Sequence, residues 1–179
     1  MDNPLKGKAW VFHGILDVDW EICPYETLRL LREKGTAITY EELGKYCMTK
    51  LDPEFPQKVA KGDFIVGGSN MGYGHDHDHA CMSIKGAGVG AVLCESTNAY
   101  FLRNCIDHGL PVVEIEGINK IVETGSELEV DLVNGFVKNL GTGENLKFKS
   151  FPKFLLNILK DGGLYPHLEK QSNAVNSKQ

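Results

Sequence analysis

Residues 63–68, DFIVGG, lead through the glycine-punctuated SNMGYGHD into HDHACMSIKGAG (77–88), then VGAVLCES (89–96), TNAYFLRNCIDHG (97–109) and LPVVEIEG (110–117). The apolar runs around Ile65, Val92 and Val113 are short, unbroken and bounded by Gly or Pro, as strands buried on both faces are. Between them, Ala80, Cys81, Ile84 and Ala87 recur at helical spacing, and a second helical segment ends at Gly109. Strand, helix, strand, helix, strand over so short a span predicts a parallel βαβαβ unit with right-handed crossovers.

Outward from this unit the period changes. ELEVDLVNGFVKNLGTGENLKFKSF alternates apolar and polar residues around Asn134-Gly135 and GTGEN, which predicts an antiparallel β-meander. PKFLLNILKDGG (152–163) places Phe154, Leu155, Ile158 and Leu159 on one helical stripe. On the N-terminal side, KAWVFH (8–13) reads as a strand, LDVDWEICPYE as turn-rich, and ETLRLLREKG (26–35) as a helix closing on Gly35. TYEELGKYCMTKLD (39–52) opens with Thr39 three residues before Glu42, a capping box heading a further helix. The expected fold is therefore α/β, one domain over residues 1–168, followed by a polar, flexible tail over 169–179.

Composition bounds the function. Among 179 residues, 42% are apolar and 24% charged, with a net charge of −5, and no Lys/Arg cluster exists to neutralise nucleic-acid phosphates. No apolar run reaches the roughly 18 residues of a membrane span, and the N-terminus lacks a signal-peptide core, so a cytoplasmic location is expected. Cys23, Cys47, Cys81, Cys94 and Cys105 form no CxxC, which suits reduced, buried thiols rather than a local zinc or iron–sulfur site.

The chemistry concentrates in GYGHDHDH (72–79), where His75, His77 and His79 alternate with Asp76 and Asp78. The stretch leaves the carboxyl end of one strand and enters a helix, the position where open α/β sheets hold ligands. Gly72 and Gly74 allow close backbone approach, and the helix N-terminus favours an anion. Aspartates that merely cap the next helix are the plain alternative. Metal binding is a second alternative, but ligands spaced by two in a loop entering a helix are not expected to point the same way, so no metal site is assigned. An imidazole beside a carboxylate is the natural acid/base pair at neutral pH, which makes His75, Asp76 and His77 the candidate catalytic residues. Gly72, Tyr73, Gly74, Ser96 and Thr97 are the candidate substrate-binding residues, since both loops leave carboxyl ends of strands.

GDFIVGGSNMGYGHDHDHA and KGAGVGAVLCESTNAYFLRNCIDHGLPVV resemble the small subunit of 3-isopropylmalate dehydratase, the swivelling domain of the aconitase superfamily. The likeness extends through WVFHGILDVDWEICPYE, LDPEF (51–55) and VDLVNGFVKNLGTGE to FPKFLLNILKDGGL, nearly the whole chain in order. The resemblance implies a three-layer β/β/α swivelling domain, and a large aconitase-like partner subunit carrying an iron–sulfur cluster (4Fe–4S) on its own cysteines. It further implies dehydration and hydration of a small hydroxy carboxylic acid between the two chains.

The departures fall in the loop itself. Where the family reads G-x-G-Ser-Ser-Arg-Glu-His-Ala, this chain keeps Gly72, Gly74, His79 and Ala80 but has His75, Asp76, His77 and Asp78 between them. The family's serine base and carboxylate-gripping arginine are both replaced. Ala99 stands where the family's Ser-Phe-Ala-Arg places another arginine. Loss of bidentate arginine contacts is not conservative. A hydro-lyase small subunit for a substrate related to, but different from, isopropylmalate is the resulting expectation, with His75, Asp76 or His77 taking over proton transfer. A non-catalytic or regulatory paralogue is the competing class, and a metal-binding enzyme using the His-Asp run a third. Replacement by further chemistry-bearing side chains speaks against simple decay.

Overall fold

The structure, a computed structural model, describes residues 4–176. Seven strands form one sheet in the order β4-β3-β2-β1-β5-β6-β7. The strands are β1 (Leu5–Val11), β2 (Phe64–Gly67), β3 (Ala91–Cys94), β4 (Val112–Glu114), β5 (Glu127–Asp131), β6 (Phe136–Asn139) and β7 (Asn145–Lys147). β1 to β4 run parallel, and β5 to β7 form the expected antiparallel meander. β1 joins the halves because its two ends pair differently. Leu5–Lys8 lie antiparallel to Glu127–Val130, whereas Ala9–Val11 lie parallel to Phe64–Val66. The antiparallel pairing of Leu5–Lys8 starts the strand three residues earlier than the apolar pattern alone suggests.

The pleat sorts the side chains into two cores. Ile65, Val92, Cys94 and Val112 pack with Ala80, Cys81 and Ile84 of α4 (His79–Gly86) and with Phe101 and Cys105 of α5 (Ala99–Asp107). Phe64, Val66, Ala91, Leu93 and Val113 face the other way, onto Leu128, Val130 and Val137 of the meander. The layers are thus helices, parallel half-sheet and curled antiparallel half-sheet, the β/β/α arrangement expected. Each fully buried Leu, Ile, Val or Phe contributes about 1.5–3 kcal/mol relative to exposure.

Between β1 and β2 the chain forms a single π-turn over Val18–Ile22, with Ile22 N–H donating to the Asp17 carbonyl and Cys23 N–H to that of Val18. Short helices follow: α1 (Glu26–Glu33), α2 (Tyr40–Gly44) and α3 (Phe55–Lys58). Thr39 caps α2 through Glu42 N–H as its capping box requires, but the helix stops at Gly44 rather than near residue 52. Two contacts explain the stop. Gly44 lies against the backbone of Gly86, and Met48 takes a left-handed φ of 58° to donate its N–H to the Ile22 carbonyl.

At the C-terminus, α7 (Lys153–Lys160) matches the amphipathic stripe, and α8 (Leu164–Asn176) follows after α6 (Ile118–Ile121) earlier in the chain. The segment from 169, expected as a flexible tail, is helical through Asn176, and 177–179 lie outside the described residues. Asp161 anchors α8 by accepting hydrogen bonds from His167 Nδ1 and Lys170 Nζ, both at 2.6 Å. Among the described residues, no helix is long and apolar enough to cross a membrane.

The α2–α4 crossing holds the helix onto which the His-Asp loop runs. A Cβ on Gly86 would sit 1.8 Å from the Tyr40 carbonyl oxygen, a backbone atom with no room to retreat. Gly86→Ala is therefore expected to destabilise the fold by about 3 kcal/mol, the upper range for overpacking. Urea unfolding monitored by circular dichroism checks this; a change below about 0.5 kcal/mol would contradict the close crossing.

Candidate active site

Three loops meet at the carboxyl ends of β1, β2 and β3: residues 12–17 with the π-turn, residues 68–78, and residues 95–98. The middle loop is bound to both neighbours. Gly72 and Tyr73 N–H donate to the Leu16 carbonyl, and Val18 N–H donates to the Tyr73 carbonyl. On the other side Met71 N–H donates to the Ser96 carbonyl, Asn70 N–H to Ser96 Oγ at 2.9 Å, and Thr97 Oγ1 to the Met71 carbonyl at 3.1 Å. Gly72 has a φ of +76°, and a Cβ there would lie 2.1 Å from Phe101 Cγ, so only glycine fits. Ser96 and Thr97 therefore hold the loop with their hydroxyls, while the Tyr73 ring is exposed.

Past Gly74 the loop converges on a residue that the sequence reading did not single out. Asp19, in the π-turn, accepts hydrogen bonds from His75 Nδ1 at Oδ2 and from His77 Nδ1 at Oδ1, both 2.8 Å. His79 Nε2 lies 3.5 Å from the same Oδ1 and donates to the Cys23 carbonyl at 2.9 Å. All three histidines thus turn toward one carboxylate, contrary to the expectation from their spacing. They form a column: His75 stacks on His77 with ring centroids 5.3 Å apart, His77 lies 5.7 Å from His79, and the Tyr25 ring stacks on His77 at 5.4 Å. Asp17 sets the base of this arrangement, its Oδ1 accepting from Asp19 N–H at 2.7 Å.

The two candidate aspartates in the run go elsewhere. Asp76 Oδ1 accepts from Asn104 Nδ2 at 2.7 Å and ties the loop to α5. Asp78 lies 3.7 Å from His108 Nε2, and His108 Nδ1 meets the Tyr40 hydroxyl at 2.6 Å. The structure groups His75 and His77 with Asp19 and leaves Asp76 outside that group.

Electrostatics follow from the geometry. A carboxylate only accepts, so Nδ1 of His75 and His77 carries the proton, and in the neutral ring Nε2 keeps a lone pair. Burial alone would raise Asp19, but the hydrogen bonds from His77 and His75 and the nearby imidazoles hold it below the usual carboxylate value. His79 is 4% exposed, and burial pushes it below an ordinary histidine. With Nε2–H donating to Cys23, its Nδ1 is buried without a partner, and a second proton there would find no acceptor. Exposure rises along the column, from Asp19 at 11% to His77 at 39% and His75 at 78%.

Beside the column lies a cleft of about 320 Å³ lined by Asp19, Trp20, Pro24, Tyr25, Glu26, Lys50, His75 and His77. Trp20 is exposed, and Lys50 is the one ammonium in the lining. The five cysteines are buried and form no disulfide; burial pushes Cys23 and Cys94 up to about 12 and also raises Cys47 and Cys105 well above an ordinary thiol. Among the described residues no three cysteines bring their sulfur atoms together, so these residues do not fit an iron–sulfur cluster within this chain.

Fold and site together define an α/β domain that displays a polar loop cluster at the carboxyl ends of its parallel strands. No family model matches the chain. It is 44% identical over 171 residues to the isopropylmalate/citramalate isomerase small subunit of Methanocaldococcus jannaschii, covering 96% of this chain and 97% of that one. It is 44% identical over 159 residues to the 3-isopropylmalate dehydratase small subunit of Caldicellulosiruptor bescii, covering 89% and 91%. A crystal structure of a 3-isopropylmalate dehydratase from Methanocaldococcus jannaschii matches with a TM-score of 0.87 at 31% identity, covering 98% of this chain and 99% of that one. The chain belongs to the 3-isopropylmalate dehydratase small-subunit family.

The buried histidine gives the site a pH signature. Because the folded state holds His79 below its unfolded value of about 6.5, the unfolded chain takes up that proton first, and stability falls as pH drops below about 6.5. Asp19, held low, contributes stability that is present above its unfolded value near 3.8 and is lost only in stronger acid. Thermal unfolding from pH 7.5 to 5 should show a falling melting temperature in the natural chain and a flatter profile in His79→Gln. Equal slopes would contradict the buried, singly protonated His79.

Proposed function

We propose that this chain is the small subunit of an aconitase-superfamily hydro-lyase that dehydrates and rehydrates a hydroxy carboxylic acid. A large subunit would supply the 4Fe–4S cluster, since among the described residues no three cysteines are brought together to hold one. When bound, such a cluster acts as a Lewis acid on substrate oxygen. The observation that carries the reading is the pair His75 and His77, oriented by Asp19 on the loop where the family keeps its base.

The residues of this chain divide the work. Asp19 holds each Nδ1–H, which directs the basic Nε2 of His75 and His77 away from the carboxylate. One neutral imidazole can then take a carbon-bound proton, while an imidazolium beside it can hold a carboxylate. Tyr25, stacked on His77, limits rotation of that ring. Gly72 and Gly74 permit the loop's close turns, Ser96 and Thr97 fix its far side, and Tyr73 offers an exposed ring at its tip. Asp76 secures the loop to α5.

Charge bears on the substrate. The cleft sets Lys50 against Glu26 and Asp19 and contains no arginine. That balance suits fewer or differently placed carboxylates than a bidentate arginine clamp would grip. A small hydroxy acid related to isopropylmalate but distinct from it is the substrate class this supports, and the cytoplasm the setting.

The test is reconstitution with the large aconitase-like subunit, offered a panel of hydroxy and unsaturated acids. His75→Ala and His77→Ala should each lose about 100-fold or more in turnover while the chain stays folded, as circular dichroism reads it. Lys50→Met should raise KM about tenfold, as expected for one hydrogen bond to a charged group. Full activity in both histidine variants would sink the assignment, and absence of turnover with every acid would favour a non-catalytic subunit.

A further inference from the structure

We infer that Asp19, His75 and His77 form a binding site for a divalent transition-metal ion, open to the cleft. Each of the three residues brings a ligand atom within 4.8 Å of the others. The two Nδ1 atoms already sit 2.8 Å from separate oxygens of one carboxylate. Ligands around a tetrahedral ion with bonds near 2.0–2.1 Å stand about 3.3 Å apart, so each nitrogen–oxygen separation must open by only about half an ångström. His75, 78% exposed and at the outer end of the column, is free to make that movement.

The donor set selects the ion. Two imidazoles and one carboxylate suit zinc, cobalt, nickel or ferrous iron, whereas calcium and magnesium favour all-oxygen sites. Three protein ligands leave a fourth position facing the cleft. His79 supports the set from beneath, its Nε2 3.5 Å from Asp19 Oδ1 and its ring 5.7 Å from that of His77. The proton balance is simple. The ion takes the Nδ1 lone pair of each neutral ring, and the Nδ1 proton is replaced by one at Nε2, with no net release. Ion binding and proton transfer through Nε2 are therefore alternative uses of the same two rings.

A second histidine–carboxylate pair serves as an internal control. His167 Nδ1 meets Asp161 at 2.6 Å, but the Lys170 ammonium bonds the other oxygen of that carboxylate at 2.6 Å and opposes a cation. The experiment is titration of the tag-free chain with cobalt(II) at pH 7, followed by visible absorption, then displacement by zinc. One ion per chain is expected, with affinity reduced about 100-fold in His75→Ala and in His77→Ala and unchanged in His167→Ala. Because His75 is exposed, its replacement tests the site without threatening the fold. No saturable binding, binding that survives in both His75→Ala and His77→Ala, or loss of binding in His167→Ala would overturn the inference. Binding is read on the isolated chain, so its outcome is separate from that of the activity assay.

Discussion

The parallel pairing of Ala9–Val11 with Phe64–Val66 is the constraint on which the site rests. It sets the carboxyl ends of β1 and β2 side by side, so the π-turn after one strand and the glycine loop after the other share a single edge. Asp19 can then reach His75 and His77 across 56 and 58 residues of sequence. The same strand turns its other end to β5, which lets the meander curl over the face opposite the helices. One strand thus closes the core and assembles the chemistry.

The loop is tied down at its base and exposed at its tip. Backbone hydrogen bonds tie residues 71–73 to Leu16, Val18 and Ser96, and Asp76 is tied to Asn104. His79 is buried at the head of α4, while His75 is mostly exposed. A graded column of this kind keeps the inner carboxylate charged and oriented, yet leaves the outer imidazole accessible. That combination suits a group that must exchange protons or accept a ligand without disturbing the core beneath it.

Much of the fold was legible in the sequence. Short apolar runs around Ile65, Val92 and Val113 read as buried strands of a parallel unit and pair so, and Asn134-Gly135 marked a hairpin that Asp131 caps through Val133 and Asn134. The glycine loop's position followed from that order. Asp19 was not legible, because its role depends on residues far along the chain and its local sequence, DVDWEICP, reads only as a turn. The alternation of His and Asp also misled in one respect: period two suggested diverging side chains, yet the loop's backbone turns bring all three rings to one side and send Asp76 to α5. Helix α8 was hidden for a similar reason, since its anchoring by Asp161 is a tertiary contact that polar composition does not announce.

The central claim is that Asp19 sets the tautomers of His75 and His77. Nitrogen-15 NMR of the histidine-labelled chain at neutral pH reads this directly. The account predicts protonated Nδ1 and unprotonated Nε2 at both rings, giving way to the commoner Nε2–H form in Asp19→Asn. Nε2–H rings in the natural chain, or spectra unchanged by the substitution, would contradict it.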